Sequence, residues 1–432
     1  MIIFSTTITN RLQYIAGFIG GEIIGKALAL TDNINEFTSY TGPKINYSNS
    51  TIAETELWIQ PHNLLFEKNI QPQAINCFEV NGNKAFFQTS GNFSFDIFAA
   101  SFYLLSRYEE YLPHEKDMYG RYAHENSVAF KENFLNIPLV NTWLKNFREV
   151  LQAKFPDFKF RAPGFLLIPT YDIDEAYSYK HKAWWRTAGA AIKDLLKGRF
   201  EKVTLRKRVL SRKTHDPYDA YEWMNELHQQ YKLKPRYFFL VPEKNGKYDK
   251  NNLPTEKAVQ TLIQQHAEAY QIGVHPSWQS GDDLSLIKKE KETIEKIISG
   301  KINSSRQHYI RLTLPQTFRY LIDAGITEDF SMGYGSINGF RASVASPFYW
   351  YDLEKGESTS LLLYPFCYME ANSFFEQKFS AEQALQVMRY YYKQVKAVDG
   401  LLITLWHNTF LGTDERFKGW REVYKQFVEE IN

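Results

Sequence analysis

The sequence predicts an α/β protein in which a (β/α) barrel follows a smaller α+β domain. Its 432 residues exceed one typical domain at about 150 residues per domain, which favours two domains. Beyond Gly164, short apolar runs alternate with longer helical patterns, and this alternation is typical of parallel β/α units. Two prolines and a glycine interrupt the periodicity at 156–164 and indicate a domain boundary there.

The first domain, residues 1–160, is predicted to be irregular α+β. Its apolar start is followed by helical patterns around Asn10 to Gly21 and around Phe93 to Tyr111. No motif with a chemical mechanism occurs in this part of the chain. We therefore expect the functional residues to lie in the second domain, residues 161–432.

Seven candidate strands define the second domain. They are residues 165–170, 237–241, 271–275, 309–312, 327–330, 361–366 and 401–406. Helix signals lie between most of them: Asp216-Pro217 can begin a helix, and Thr313 to Gln316 has the spacing of a capping box. In β/α barrels the reactive groups lie at the carboxyl ends of the strands, so those ends indicate where the chemistry should be.

Composition narrows the classes of function. Hydrophobic residues make up 44% of the chain and charged residues 23%, as in ordinary globular proteins. The net charge of +2 gives no field that would favour nucleic acid as a partner. The basic run from Lys197 to Lys213 is a solvated helix face or a contact with an anionic glycan or lipid head group.

The cysteine count and the N-terminus bear on compartment. Cys77 and Cys367 are the only cysteines, which provide neither a disulfide framework nor a thiolate metal cluster. No secretory signal or membrane-spanning stretch is readable, so we expect a cytoplasmic protein without stable membrane insertion. The sequence does not predict the oligomeric state.

The first strand ends in Thr170-Tyr171-Asp172-Ile173-Asp174, where two acids are two residues apart. Alternate strand residues share a face, so these carboxylates would lie roughly 7 Å apart. Two such acids can be an ordinary solvated strand end. They can also be a metal ligand beside a general base.

Other strand ends also carry polar side chains. His275 ends the third strand, Arg306 and His308 border the fourth, Asp329 lies in the fifth and His407 ends the seventh. A single histidine or arginine at such a position is commonly structural. Their recurrence at the ends of one β/α series predicts a shared site.

In order and context these segments resemble the motifs of the NodB-like polysaccharide deacetylases, which are metal-dependent carbohydrate esterases. The resemblance covers residues 165–432 and implies an irregular (β/α)7 barrel. It implies that Asp172 is the catalytic base, Asp174 and His275 are metal ligands and His407 is the general acid. Residues 1–160 resemble a domain of uncharacterised function that precedes such barrels in some bacterial proteins.

The sequence departs from this pattern after His275. In His275-Pro276-Ser277-Trp278-Gln279, Gln279 stands where the family has a second metal-binding histidine. An amide oxygen is a poor zinc ligand, so we expect His308 to complete the site. The cofactor is predicted to be a divalent metal, with zinc first; a harder metal or an absent metal are the alternatives.

The predicted reaction is removal of an acetyl group from a sugar by metal-activated water. Asp172 would take the proton of that water, Arg306 would orient Asp172, and His407 would protonate the leaving group. Four aromatic side chains are predicted to bind the carbohydrate: Trp278, Tyr334, Trp350 and Trp406. The alternatives are a catalytically silent carbohydrate-binding module and a glycoside hydrolase with Asp329 or Glu370 as its second acid.

Overall fold

The N-terminal part of the protein is built around a small parallel sheet. The computed structural model describes residues 1–432. The strands of this part are β1 (Ile2–Phe4), β2 (Ala29–Thr31), β3 (Lys44–Tyr47), β4 (Leu57–Ile59), β5 (Phe78–Val80) and β6 (Asn83–Ala85). Its helices are α1 (Asn10–Ile24), α2 (Ile34–Ser39), α3 (Ile97–Leu105), α4 (Val128–Lys131) and α5 (Leu139–Lys154).

The order of the first sheet is β2-β1-β3-β4, and every pairing in it is parallel. The expectation of an α+β domain was therefore wrong for this sheet, because helices cross over between parallel strands. The strands have only three or four residues, too few for the alternating pattern that reveals a strand in a sequence. Only β5 and β6 form an antiparallel hairpin.

The second part contains a nine-stranded sheet and nine helices. Its strands are β7 (Leu166–Ile173), β8 (Arg236–Phe239), β9 (Gln271–Val274), β10 (Ser304–Ser305), β11 (Glu328–Asp329), β12 (Phe348–Asp352), β13 (Glu357–Leu363), β14 (Tyr368–Met369) and β15 (Leu401–His407). Its helices are α6 (Trp184–Leu196), α7 (Phe200–Leu210), α8 (Tyr221–Gln230), α9 (Lys257–Ala269), α10 (Leu284–Ile298), α11 (Gln316–Asp323), α12 (Ala381–Ala397), α13 (Asn408–Leu411) and α14 (Trp420–Ile431).

The strand order is β12-β13-β11-β10-β9-β8-β7-β15-β14, and only β12 runs antiparallel to its neighbour. Apart from β12, this is the chain order arranged as a ring that is open between β13 and β14. No backbone pairing joins those two strands. The predicted α/β class with a parallel sheet is confirmed, whereas closure into a barrel is not observed.

The fourth strand does not lie where the sequence predicted it. Residues 308–310 form a short 3₁₀ turn, and the strand is the preceding pair Ser304–Ser305. The prediction of a strand at 309–312 was wrong because two serines give no apolar signal. Tyr309 and Ile310 have positive φ values of 59° and 53°, which a strand does not allow.

The two parts of the chain share one apolar core. A continuous cluster of 92 buried apolar residues extends from the first sheet to the helices around the second. A buried ion pair also crosses between the parts: Arg341 binds Glu110 through two hydrogen bonds of 2.8 and 2.6 Å. Arg107, in the N-terminal part, binds the same carboxylate at 2.8 Å. Burial alone would raise the pKa of Glu110, but Arg341 and Arg107 outweigh this effect and lower it to about 2. The N-terminal part is therefore fixed against the second sheet.

Candidate active site

The polar side chains that follow the strands of the second sheet meet in one cavity of about 560 Å³. Its wall includes Asp172 and Asp174 from β7, His275 after β9, His308 after β10 and His407 at the end of β15. Asp172 and His407 occupy paired positions on adjacent parallel strands. The parallel arrangement brings these side chains together because all the carboxyl ends share one edge of the sheet.

Asp174 lies among three imidazoles. Its Oδ1 is 3.2 Å from Nε2 of His275, and its Oδ2 is 3.3 Å from Nε2 of His308 and 3.5 Å from Nε2 of His407. Burial would raise the pKa of Asp174, but the neighbouring histidines lower it well below its usual range. The carboxylate is therefore ionised and turned toward ring nitrogens.

Hydrogen bonds to Nδ1 fix the tautomers of His275 and His308. Nδ1 of His275 lies 2.5 Å from the carbonyl oxygen of Arg306, which can only accept a hydrogen bond. Nδ1 of His308 lies 2.8 Å from Oδ1 of Asp249. Both rings thus donate through Nδ1 and present Nε2 to Asp174, the arrangement that metal-binding histidines have.

These donors fit a divalent cation. Oδ1 of Asp174 and Nε2 of His275 are buried and have no hydrogen-bond partner, although they are 3.2 Å apart. With Nδ1 of His275 donating, both are acceptors, and a cation satisfies both at once. Asp174, His275 and His308 offer ligand atoms that all lie within 4.8 Å of one another, one carboxylate oxygen and two imidazole nitrogens.

Without a cation, His308 carries a proton in this arrangement. Burial lowers the pKa of His308, but Asp174 and Asp249 outweigh this effect and raise it to about 9. Binding of a dication replaces that proton.

Gln279 does not point to a ligand role. Its Nε2 donates to Oδ2 of Asp249 at 3.0 Å, and the backbone N–H of Trp278 donates to Oδ1 of the same carboxylate at 2.7 Å. Asp249 in turn accepts from His308. Gln279 therefore supports His308, on the neighbouring strand end, through Asp249.

Asp249 was missed in the sequence. It lies in the polar loop between β8 and α9, the one strand end of the early series for which no functional residue was predicted. An acid after a β strand in a series of functional strand ends is a usable signal. The many Lys and Asn residues around it made the loop indistinguishable from a solvated connection.

Replacing Asp249 by asparagine should weaken divalent-metal binding by roughly 10–100-fold, the usual cost of removing an outer partner of a ligating histidine. An amide can present its NH₂ group to Nδ1 and no longer enforces the tautomer of His308. Calorimetric titration of the metal-free protein with Zn²⁺ measures the change. Asp282→Asn, an exposed acid nearby, is the matched control, and equal affinities of the two variants would contradict the role of Asp249.

The guanidinium of Arg306 is hydrogen-bonded to Asp172 and to two neighbouring groups. Its Nη1 donates to Oδ1 of Asp172 at 2.9 Å, its Nη2 to Oγ1 of Thr170 at 2.7 Å, and its Nε to the carbonyl of Phe330 at 3.0 Å. The guanidinium is fully buried, 4.6 Å from the ring centroid of Phe238. The other oxygen of Asp172 lies 3.7 Å from Nε2 of His275, beside the space that the ligand set encloses.

His407 is held by Glu370. Oε1 of Glu370 accepts from Nδ1 of His407 at 2.6 Å and from its backbone N–H at 2.7 Å. Burial lowers the pKa of His407, but Glu370 and Asp174 raise it to about 10, so the ring is an imidazolium at neutral pH. Nε2 faces the cavity and carries a proton that can be donated.

The two acids considered for a glycoside hydrolase are both occupied elsewhere. Asp329 is buried and accepts from Ser305 and Ser331 at 2.8–3.0 Å. Glu370 is buried beneath His407. Neither side chain lines the cavity, so neither faces Asp172 across a substrate.

Three of the four predicted sugar-binding aromatics were wrong. Tyr334, Trp350 and Trp406 are buried and make core contacts, for example Trp350 with Phe318 and Trp406 with Tyr424. Trp278 is half-buried beside Arg311 and Tyr248 and is not part of the cavity wall. The aromatic side chains that do line the cavity are Tyr119, Tyr218, Tyr309, Phe375, Phe410 and Phe417.

The N-terminal part contributes to the cavity, which the sequence did not indicate. Tyr119 and Arg121 belong to its wall. Nη1 of Arg121 donates at 2.7 Å to the carbonyl of Tyr309, the residue after His308. Arg121 thereby supports the strained turn, with φ of 59° at Tyr309, that presents His308.

The loop that presents His275 rests on a buried acid. Oε2 of Glu290 accepts from the backbone N–H of Ser277 at 2.9 Å. Burial raises the pKa of Glu290 to about 7, although the hydrogen bonds from Ser277 oppose the shift. The folded state therefore keeps a proton that the unfolded chain loses above its ordinary value of 4.5.

The pKa of Glu290 is higher in the folded protein than in the unfolded chain. Its contribution to the free energy of unfolding is therefore fully present below pH 4.5, the pKa in the unfolded chain, and is lost as the pH rises through about 7. We expect Glu290→Gln to remove about 2–3 kcal/mol of the decrease in unfolding free energy between pH 5 and pH 8. Urea denaturation at both pH values measures the difference. Glu292→Gln, exposed on the same helix, should leave the decrease unchanged, and an unaltered decrease in Glu290→Gln would refute the assignment.

The N-terminal part of the chain matches a described protein family. Residues 1–156 match the model of a family of unknown function, DUF7033. No curated protein matches the chain.

Solved structures that are similar to part of the chain include a protein described as a deacetylase, an allantoinase and a pseudoenzyme. A protein from Mycobacterium smegmatis, described provisionally as a polysaccharide deacetylase, is 12% identical with a TM-score of 0.40, over 63% of this chain and 85% of that one. Puue allantoinase is 10% identical with a TM-score of 0.41, over 62% and 84%. A CE4 family pseudoenzyme from Bacillus anthracis is 8% identical with a TM-score of 0.31, over 63% and 66%. At these values the likeness carries no inference about the chemistry of this chain.

Proposed function

We propose that the protein is a metal-dependent hydrolase that removes an acetyl group from an acetylated sugar or polysaccharide precursor. The observation that carries the proposal is the unpaired, buried pair of acceptors on Asp174 and His275, with His308 completing a three-ligand set. Beside that set lie an oriented carboxylate, Asp172, and a protonated imidazole, His407. A base and an acid on either side of a cation site suit hydrolysis of an amide or ester.

Asp174, His275 and His308 would hold the metal. When bound, a divalent metal supplies a Lewis acid and brings the pKa of its water to about 7. Zinc suits one carboxylate and two imidazoles, with an open position left for water or substrate.

The chain's own residues perform the proton transfers. Asp172 accepts the proton of the attacking water, and Arg306 keeps one of its oxygens occupied so that the other serves as base. His407 donates from Nε2 to the departing amine or alkoxide, while Glu370 keeps Nδ1 protonated and the ring in position. After the reaction Asp172 is protonated and His407 is neutral, and proton exchange with solvent restores their starting states.

The cavity supports a carbohydrate as substrate. Its aromatic side chains, Tyr119, Tyr309 and Phe410 among them, offer flat faces to a sugar ring, and its polar side chains offer hydrogen bonds to hydroxyl groups. We further propose that residues 161–432 form the catalytic part as an irregular (β/α)7 barrel. Residues 1–160 would form a second domain that walls the cavity through Tyr119 and Arg121.

The test combines metal analysis with acetate release. The purified protein should contain about one equivalent of divalent metal and release acetate from N-acetylglucosamine oligomers, with activity lost on chelation and regained with Zn²⁺. A metal-free protein that binds the oligomers without releasing acetate would overturn the proposal in favour of a silent binding module.

A further inference from the structure

Helix α6 turns its apolar side toward solvent. Trp184 is 81% exposed, Trp185 62% and Leu196 84%, and no residue of the helix is buried. A helix on the surface of a globular protein normally does the opposite and packs its apolar face on the core. This helix therefore presents a surface that its own chain does not cover.

The exposed apolar residues form one continuous face. At 3.6 residues per turn, six residues fall within about 120° of the helix circumference: Trp184, Trp185, Ala188, Ile192, Leu195 and Leu196. Phe200, the first residue of the adjacent helix α7, is also exposed. Asp194 lies on the other side of α6, where its Oδ2 binds Nη2 of Arg206 of α7 at 2.8 Å. The ion pair holds the two helices together as a hairpin, the α6–α7 hairpin (residues 184–210).

Cations are concentrated in the segment of the chain that carries this apolar face. From Lys180 to Lys213 the chain has twelve Lys and Arg residues and two acids, a net charge of +10. Since the whole chain carries +2, the remainder carries −8. Most of these cations are exposed, including Lys193, Lys197 and Lys207. Positive charge is thus concentrated on the element that also exposes tryptophan and leucine.

The hairpin lies beside the catalytic cavity. A groove of about 270 Å³ is lined by Lys182, Arg186, Lys202 and Arg206 from the hairpin and its entry. Glu175, Tyr218 and Arg416 line both this groove and the 560 Å³ cavity. The groove is lined by the side of α6 that carries Arg186 and Asp194, so the apolar face lies on the other side of the helix from the groove.

We propose that the α6–α7 hairpin docks the protein on the anionic surface of a lipid bilayer. An apolar face with tryptophan, isoleucine and leucine enters the boundary between head groups and acyl chains, and the exposed cations of the hairpin bind anionic head groups. A nucleic acid or acidic glycan would match the cations but not the apolar face, and a second copy that packed its own hairpin on this face would bring the same +10 charge. At 13 residues, α6 lies in the surface and is too short to cross the bilayer, and no helix of the structure has the length and apolarity to cross one.

The docking itself does not depend on the proposed hydrolysis. It is tested by binding alone, so the two proposals fail separately.

Co-sedimentation with vesicles tests the docking. The full-length protein should bind vesicles of phosphatidylcholine mixed with phosphatidylglycerol, and bind phosphatidylcholine alone at least about tenfold more weakly. The variant Trp184→Ala/Trp185→Ala/Leu196→Ala should lower binding to the anionic vesicles at least about tenfold. Charge reversal at Lys197, Arg199 and Lys207 should lower it similarly, and high salt should weaken the wild type.

Matched controls change equivalent residues elsewhere. Ile34→Ala/Tyr349→Ala/Tyr390→Ala removes exposed apolar groups, and Lys288→Glu/Lys296→Glu/Lys425→Glu reverses exposed charges; both should bind as the wild type does. Absence of wild-type binding to anionic vesicles would overturn the proposal, as would equal loss in hairpin and control variants. Sedimentation velocity adds a further outcome: a dimer that the tryptophan variant converts to monomer, without vesicle binding, would assign the face to self-association instead.

Discussion

Asp172→Asn is expected to lower the turnover number for acetate release by about 10²–10⁴-fold, the usual contribution of a general base. The amide can still accept the hydrogen bond from Nη1 of Arg306, so the geometry is largely kept. It cannot accept the proton of the attacking water. The metal content should stay near that of the wild type, because Asp172 is not in the ligand set. Steady-state kinetics together with metal analysis measure both quantities.

The buried guanidinium of Arg306 complicates this variant and requires a control. Removing the charge of Asp172 leaves that cation without its anionic partner, which costs about 3–5 kcal/mol in buried pairs. Asp329→Asn also removes a buried acid near Arg306, but one that does not reach the cavity. Asp329→Asn should lose stability and keep activity. If both variants retain activity, Asp172 is not the base, and if Asp329→Asn alone is inactive, the site has been assigned to the wrong acid.

His308→Ala is expected to lower the affinity for Zn²⁺ by more than the roughly 10–100-fold that an outer partner contributes. The substitution removes one of three ligand atoms and leaves Asp249 without its imidazole partner. Hydrolysis should fall with occupancy and return in part at high Zn²⁺ concentration. Competition with a chromophoric chelator measures the affinity, and the acetate assay follows the recovery.

Gln279→Ala separates a ligand from a support at the same site. Since the amide of Gln279 donates its hydrogen bond to Asp249 and is not in the proposed ligand set, its loss should weaken metal binding less than the loss of His308. The stoichiometry should remain one metal per chain. If Gln279→Ala loses the metal while His308→Ala keeps it, the ligand set proposed for this protein is incorrect.

Gln279, Asp249 and His308 are linked by hydrogen bonds that join neighbouring strand ends. The imidazole of His308 lies at the strand end next to the loop of Gln279. Gln279 contacts Asp249, which fixes the tautomer of His308. Adjacent parallel strands lie about 4.8 Å apart, so a ligand supplied from the neighbouring strand reaches a similar point in space. A turn projects His308 into the cavity, and Tyr309 with its positive φ forms that turn.

Much of the second sheet could be predicted because its longer strands are apolar runs that end in polar groups. β7 and β15 follow this pattern and deliver Asp172, Asp174 and His407. β10 does not, since two serines carry no periodic signal, and the sequence therefore misplaced the fourth strand. The neighbouring Arg306 and His308 were still found, because their residue types and their position in the motif are informative without the strand.

The aromatic side chains mark what local sequence cannot decide. Trp350 and Trp406 look like sugar platforms because tryptophan has that use, yet burial commits them to the core. Tyr119 lies far from the motifs in the chain and reaches the cavity only because the N-terminal part packs against the second sheet. Helix α6 is the converse case. Its sequence pattern is that of an ordinary amphipathic helix, and only the tertiary structure shows that its apolar face is exposed.

The sequence by itself determined the α/β class with a parallel sheet and the chemical types of the candidate site residues, because strand periodicity and polar strand ends are local properties of the chain. The tertiary structure decided which side chains meet and how each is oriented. Asp249 beneath His308, Glu370 beneath His407 and Arg121 beneath the turn at Tyr309 are contacts across 37 to 188 residues of chain. Contacts of that range depend on how the strands and helices pack against one another, which no local pattern specifies.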